Sequence, residues 1–495
     1  MTPSPKNPWP DLAAFVARLN DPNDRGSNEA RNFFDAQEPV VVARAPGRLD
    51  VMGGIADYSG ALVLEMPTAV ATFAAVQHQE TPRVDMLSLG IPPGAARRHA
   101  VDTSFFQDAS TRPYEDARMF FARDADAHWA SYVAGTLLVL MKERGAVLNT
   151  GVRILIGSNV PEGKGVSSSA ALEVATMNAL AHLLGVTVEP QDLAALCQKA
   201  ENHVVGAPCG IMDQITVACG EADQLLALLC QPAEIRKPVP IPKDVRFWGI
   251  DSGIRHAVSG ADYTSVRVGA FMGYRILADL AGLPVRPGQH DGHLQIDDAT
   301  WGGYLANVSP SQFEQRFARQ LPERMKGRDF LAKFEGTTDP VTIVEPDRTY
   351  GVRQPAAHPV QEHFRVRCFA AHFQAPLEEI ALKLLGELMY QSHASYSACG
   401  LGSDGTDLLV ELVEAAGPDA GLYGAKITGG GCGGTVVVLG RTGAEASVGR
   451  VIEEYRDQTG RNPVLFKGSS PGAAACGLVR LRFDSGVWSG EALGA

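Results

Sequence analysis

The sequence predicts at least two lobes built from alternating strands and helices. Three observations support this. The chain has 495 residues, and single hydrophobic cores stop growing near about 250–300 residues. From Val40 to about residue 236, strand-like and helix-like patterns alternate between turns marked by Gly or Pro. A Pro-rich segment, KPVPIPKDV at Lys237–Val245, then separates apolar strands and marks the expected boundary between lobes.

In chain order, residues 1–39 are rich in Asn, Asp and Pro, with a short helix pattern from Leu12 to Leu19, and read as an N-terminal extension. Residues 40–236 form the first lobe and 237–485 the second, with a polar, irregular insertion at about 286–350 that carries short helices. A helix pattern resumes from His358 through Tyr390 and leads to a Gly-rich region and a final set of strands. With 44 basic and 56 acidic residues the net charge is -12, which argues against a general nucleic-acid binder. A nucleotide ligand stays open, because backbone N–H groups at a helix start hold phosphate without side-chain charge. No apolar run reaches the roughly 18 residues of a membrane span, and the start MTPSPKNPWPDLAAF is not a secretory signal. A soluble cytoplasmic protein without membrane partners is expected. The eight scattered cysteines form no C-x-x-C pair and read as reduced thiols.

Four segments carry candidate chemistry. In Val40–Gly60 a β-branched strand runs into an expected turn at Pro46-Gly47, after which Arg48, Asp50 and Asp57 sit among small residues; a ligand loop and a surface hairpin both fit. In Gly151–Gly185 the alternation of Val152, Ile154 and Ile156 predicts a strand. A loop follows, Pro161-Glu162-Gly163-Lys164-Gly165, and then a helix opened by Ser167, Ser168 and Ser169 and closed near Gly185. Such a helix start offers unpaired N–H groups and the positive dipole end to a phosphate. The spacing is not that of a Walker A loop, since Gly165 follows Lys164 where Ser or Thr belongs. In Tyr423–Leu439 the glycines Gly429, Gly431 and Gly434 satisfy G-x-G-x-x-G, but the strand Thr435–Val438 follows instead of a helix, so a dinucleotide fold is not indicated. In Ala200–Gln224, Glu201 lies in a helical stretch and Asp213 sits among Ile211, Met212 and Ile215. An Asp in apolar surroundings is paired, capped or shifted in pKa, and Asp213 is a catalytic candidate or a helix cap.

Together and in order, APGRLD (Ala45–Asp50), PEGKGVSSSAALEVAT (Pro161–Thr176) and KITGGGCGGTV (Lys426–Val436) resemble the three motifs of the GHMP kinase superfamily. GIMDQ (Gly210–Gln214), RHAVSGADYTSVRVGA (Arg255–Ala270) and SHASYSACG (Ser392–Gly400) resemble its galactokinase branch. VMGGIADYSG (Val51–Gly60), CQKAENHVVGAPCGIMDQ (Cys197–Gln214) and GSSPGA (Gly468–Ala473) are similar to the kinase region of plant L-arabinokinases.

The resemblance implies a two-lobed α+β fold, with a ribosomal-protein-like βαβ first lobe, a ferredoxin-like second lobe and ATP at their interface. It implies an ATP- and magnesium-dependent kinase that phosphorylates the anomeric hydroxyl of a small sugar, L-arabinose foremost. D-Galactose is the main alternative, and a glucuronokinase or a non-catalytic sugar sensor are lesser ones. By the same resemblance, Asp213 is the base and Arg48 its partner. Asp57, Gly54, Ile55, Tyr263 and Gly210 face the sugar. Pro161, Gly163, Lys164, Gly165, Ser167, Ser168, Ser169, Gly430 and Gly431 surround ATP, and Ser169 with Glu201 holds Mg2+. The resemblance leaves monomer or dimer open. Galactokinases read G-E-H-T-D-Y where this chain reads Gly53-Gly54-Ile55-Ala56-Asp57-Tyr58. The Glu-His pair that approaches the sugar's hydroxymethyl group is replaced by Gly54 and Ile55. L-Arabinopyranose lacks that hydroxymethyl, so Ile55 is expected to narrow the pocket for a pentose. An apolar wall rejects a larger sugar only weakly, so some galactose turnover is expected.

Overall fold

The computed structural model describes residues 9–21, 29–30, 32–90, 97–124, 128–254, 261–288, 292–375 and 377–493. Arg255 and the first residues of the tract preceding Tyr263 lie outside that set, as does part of the N-terminal extension. In the first lobe, β1 (Val40–Met52), β2 (Leu62–Gln79), β3 (Arg83–Ser88), β4 (Arg98–Asp102), β5 (Gly151–Ser158) and β6 (Gln224–Leu229) build a large mixed sheet. The β3–β5 pair is parallel and its other named pairs are antiparallel. β1 is buried along its whole length because both faces are covered. Val41, Ala43 and Ala45 point to one face and Val40 and Val42 to the other, as the two-residue repeat of a strand requires.

The first face packs α2 (His128–Arg144), α3 (Ser168–Leu183), α4 (Pro190–Lys199) and α5 (Met212–Cys219). In α3, Ala170, Ala171, Val174, Ala175, Met177, Ala179 and Leu180 are all buried. A helix apolar nearly all round belongs at the centre of a core, and here it lies against β1 and β2. The opposite face is covered by α1 (Pro10–Asn20), whose Leu12, Phe15 and Leu19 meet Phe73 and Leu155. The N-terminal helix expected from the sequence is therefore part of the first lobe's core.

The second lobe holds β7 (Val245–Asp251), β8 (Leu422–Ile427), β9 (Thr435–Arg441) and β10 (Leu465–Lys467) in the order β8-β9-β7-β10. Around it lie α6 (Ala261–Leu280), α7 (Arg353–Phe373), α8 (Glu379–Ala398), α9 (Asp404–Ala416) and α10 (Glu445–Thr459). The continuous helix pattern read from His358 to Tyr390 is thus two helices, α7 and α8. The insertion carries short helices and two short strand pairs, and packs its own cluster, including Trp301, Phe313, Phe317 and Phe330, onto α6 and α7. The last strands, β11 (Leu478–Asp484) and β12 (Val487–Leu493), cross back, with β11 pairing antiparallel to β1. The expected second lobe, 237–485, differs from this: its final strand belongs to the first lobe's sheet, because the edge of β1 offers an unpaired ladder that β11 satisfies.

Candidate active site

Pro46-Gly47 is not a turn. β1 continues through it, with register shifts against β2 between Pro46 and Arg48 and again between Asp50 and Met52. A bulge accepts a residue without an N–H and re-aims the side chains after it. Arg48 is thereby delivered to Asp213, on the first turn of α5. Its Nε and Nη2 donate to Asp213 Oδ1 at 2.9 and 2.6 Å, and its Nη1 donates to the Gly165 carbonyl at 2.9 Å. Glu65 lies 3.2 Å away. Burial opposes the guanidinium charge, but Asp213, Glu65 and Asp50 hold it firmly protonated. Both bonds land on Oδ1, the Asp213 side chain is 23% exposed, and among the described residues nothing hydrogen-bonds its Oδ2. A paired carboxylate with one oxygen facing the site can accept a proton from a bound hydroxyl.

Asp57 stands beside Asp213 on the 3-10 turn Gly54–Ser59. It accepts from the N–H groups of Tyr58 at 2.7 Å and Met212 at 3.5 Å. Burial, reinforced by the charge of Asp213, pushes its carboxyl up to about 7 against the pull of Arg267. Gly210 explains itself here: a Cβ would stand 1.6 Å from Asp57 Oδ2, so only glycine lets the carboxylate lie in place. Tyr263, at the start of α6, packs edge-on to Tyr58 with ring centroids 6.0 Å apart. Ile55 differs from expectation. It is 1% exposed, packed with Val266, Tyr396, Leu401 and Ile427, and lies within the core instead of forming an open wall.

The loop from Pro161 to Gly165 leads into α3, with Ser167 as its N-cap residue in a left-handed conformation. The Ser167 hydroxyl is buried without a hydrogen-bond partner at the start of a 16-residue helix. Ser168 and Ser169 are half-buried on its first turn, and Ser169 hydrogen-bonds Glu201. Burial pushes the Glu201 carboxyl up to about 7, aided by the charge of Asp213, while hydrogen bonds from Ser169, Cys209 and Gln214 oppose the shift. Gln214 donates from one amide to Glu201 at 2.6 Å and to the buried Glu173 at 3.2 Å. An orphaned hydroxyl at a helix start and a Ser–Glu oxygen pair beside it fit a phosphate chain and a hard divalent cation. Among the described residues no group of three or more His, Cys, Asp or Glu could hold a metal alone.

The second lobe closes over this loop backbone to backbone. A Cβ on Gly429 would meet the Gly165 carbonyl at 2.8 Å, and one on Gly434 the Lys164 carbonyl at 2.8 Å. Gly430 is half-buried at the tip of the same turn, and Gly431 is packed against Leu401. Lys164 was assigned to ATP from the sequence; its ammonium is ion-paired with Asp251 at the end of β7, 2.8 Å away, and so links the lobes. Three side chains escaped the sequence reading: Arg267, Asp339 and Lys426. Arg267 makes a two-pronged pair with Asp339 of the insertion at 2.7 and 2.8 Å, donates to the Cys209 carbonyl at 3.0 Å and lies 5.4 Å over the Tyr58 ring. Lys426 and Asp50 form a fully buried pair at 2.7 Å between the lobes. Arg267 and Lys426 both lie in stretches the motifs had marked, which is the one signal that pointed to them.

Residues 131–221 match the family described as GHMP kinases N terminal domain, 31–78 the galactokinase galactose-binding signature and 373–457 the GHMP kinases C terminal region. An L-arabinokinase of Arabidopsis thaliana is 46% identical over 92% of this chain, and the chain spans about half of that protein's length, 48%. A galactokinase of Chloroflexus aggregans is 31% identical, with 86% of this chain and 91% of that protein covered. The crystal structure of Lactococcus lactis galactokinase complexed with galactose has the same fold, with a TM-score of 0.70 at 21% identity over 93% of this chain and 99% of that one. On these family matches and relatives, the chain belongs to the GHMP kinase family, in its galactokinase-like branch.

Proposed function

We propose that the protein transfers the γ-phosphoryl group of ATP to the anomeric hydroxyl of L-arabinose, giving L-arabinose 1-phosphate. The observation that carries the reading is the Arg48–Asp213 pair set between Asp57 and the serine-opened start of α3. The choice of sugar draws on the similarity to the Arabidopsis protein and on the glycine at position 54. Asp57 and Tyr263 hold the ring, and Gly210 keeps Asp57 in position. Asp213 Oδ2 takes the proton of the anomeric hydroxyl as its oxygen attacks phosphorus. Arg48 holds Asp213 through the paired hydrogen bonds and offsets charge on the transferring phosphoryl group. The N–H groups of Gly163, Gly165, Ser167 and Ser168, with Pro161 shaping the loop, cradle the phosphates, and Gly430 and Gly431 cover them from the second lobe. Ser169 and Glu201 would hold Mg2+, which would supply charge neutralisation for the phosphates.

A coupled ADP-release assay with Mg-ATP tests this against L-arabinose, D-galactose, D-glucuronate and no sugar. The expected result is the highest kcat/KM for L-arabinose with weaker turnover of D-galactose. Preference for D-galactose would replace the substrate, and no sugar-dependent ADP release would replace the enzyme with a sugar sensor.

A further inference from the structure

We infer that Tyr396 is a specificity-determining positioning residue whose hydroxyl occupies the space of a side chain at position 54, closing the sugar site where a hydroxymethyl substituent would be received. This rests on the L-arabinose reading and extends it to a residue on the other lobe. A Cβ built on Gly54 would stand 1.4 Å from the Tyr396 hydroxyl oxygen, 2.7 Å from its Cζ and 2.6 Å from Asp50 Oδ2. Gly54 opens the same short turn that carries Asp57, three residues and one 3-10 turn away. A side chain long enough to serve a substituent on a sugar held by Asp57 would have to start in the volume that Tyr396 fills.

The tyrosine is held in place. It is fully buried on α8, its oxygen accepts from the Ile55 N–H at 2.9 Å, and its proton has acceptors in the Gly429 carbonyl at 3.2 Å and Asp50 Oδ2 at 3.4 Å. The His358 ring stands edge-on to it at 5.2 Å, and the Lys426 ammonium lies 5.2 Å over its ring. Helix α7 fixes the preceding residue, where the Gly53 N–H donates to Glu362 at 3.2 Å. The hydroxyl therefore replaces a ligand-binding side chain with a hydrogen-bonded filler that also sets the backbone of Ile55. A pentose needs nothing more at that end, whereas a hexose finds no side chain at position 54 to receive its hydroxymethyl group.

The test compares kcat/KM for L-arabinose and D-galactose in the wild-type protein, Y396F, Y396L and G54E/Y396L, with melting temperature and its rise on adding Mg-ATP as the check of folding. Y396F removes the hydroxyl but leaves the ring, whose Cζ lies 2.7 Å from the Cβ position, so the arabinose-to-galactose ratio is expected to fall only part of the way. Y396L empties the space, and the arabinose-to-galactose ratio is expected to fall by about tenfold or more, the span that one group in an apolar pocket commands. The double variant should move the ratio further, with KM for ATP unchanged. If Y396L does not fold, Y396M, which ends short of the hydroxyl position, gives the same reading. Folded Y396L (or Y396M) and G54E/Y396L proteins with the wild-type ratio would overturn this inference alone. A Y396F ratio that falls further than that of Y396L would overturn the filling argument. A wild-type protein that prefers D-galactose would overturn the substrate proposal and this inference with it.

Discussion

In the proposed mechanism Asp213 takes the proton, a step for which Arg48, a cation, can stabilise charge but cannot substitute. Asp213→Asn is expected to cut kcat by at least about a thousandfold, within the range general-base removal commands. Calorimetry should find sugar binding nearly intact; wild-type turnover in this variant would remove Asp213 from the mechanism. Asp57 and Glu201 add a pH signature. Their carboxyls are raised from ordinary values of 3.8 and 4.5 to about 7, by burial first and the charge of Asp213 next. Both are protonated below that pH and ionised above it, so turnover that uses the ionised groups should fall as pH drops through 7. Stability runs the other way. A carboxyl raised on folding binds more protons folded than unfolded, so its contribution is full below about pH 4 and is lost as pH rises to about 7. The melting temperature of wild-type protein should therefore fall more between pH 5 and pH 8 than that of Asp57→Asn, and equal slopes would refute the shift. Arg48, Asp213, Ser169 and Glu201 could be named as candidates from the sequence because they lie in segments that resemble the family's motifs. Ile55 was misread because a loop sequence does not say which side of the loop is covered, and α8 covers it.

At the scale of elements, two contacts join pieces that are far apart in the chain. β1 and β8 meet through Asp50 and Lys426, both wholly buried. Lys426→Met leaves a buried carboxylate unpaired and is expected to cost about 3–5 kcal/mol in urea unfolding, whereas the double variant Asp50→Asn/Lys426→Met should recover much of it. The insertion meets α6 through Asp339 and Arg267. Because Arg267 also holds the Cys209 carbonyl beside Gly210 and lies over Tyr58, Asp339→Ala should raise the sugar KM several-fold and leave the ATP KM unchanged. A rise in both would make the insertion merely structural. The sequence showed the insertion as polar and irregular but not its role, since a single Asp among many reveals nothing until its partner, 72 residues away, is in place.

At the scale of the whole molecule, the chain is laced back on itself. β11 and β12 leave the second lobe and complete the sheet on which β1 carries Arg48 and Asp50. Removing residues 478–495 exposes the β1 edge and strips Leu481 and Trp488 from the cluster under α1. Such a truncation is expected to aggregate and lose activity although no proposed site residue is deleted; a soluble, fully active truncation would refute that dependence. In the sequence alone, the resemblance of the motifs pointed to the family and to the candidate groups, while local periodicity placed the strand Gly151–Ser158 and the serine-opened helix after it. The tertiary structure decided the bulge that aims Arg48, the shared burial that raises Asp57 and Glu201, the Lys164–Asp251 and Lys426–Asp50 links, and the filling of position 54 by Tyr396. Each of those depends on groups brought together from distant parts of the chain, where desolvation and steric exclusion act only once both partners are buried.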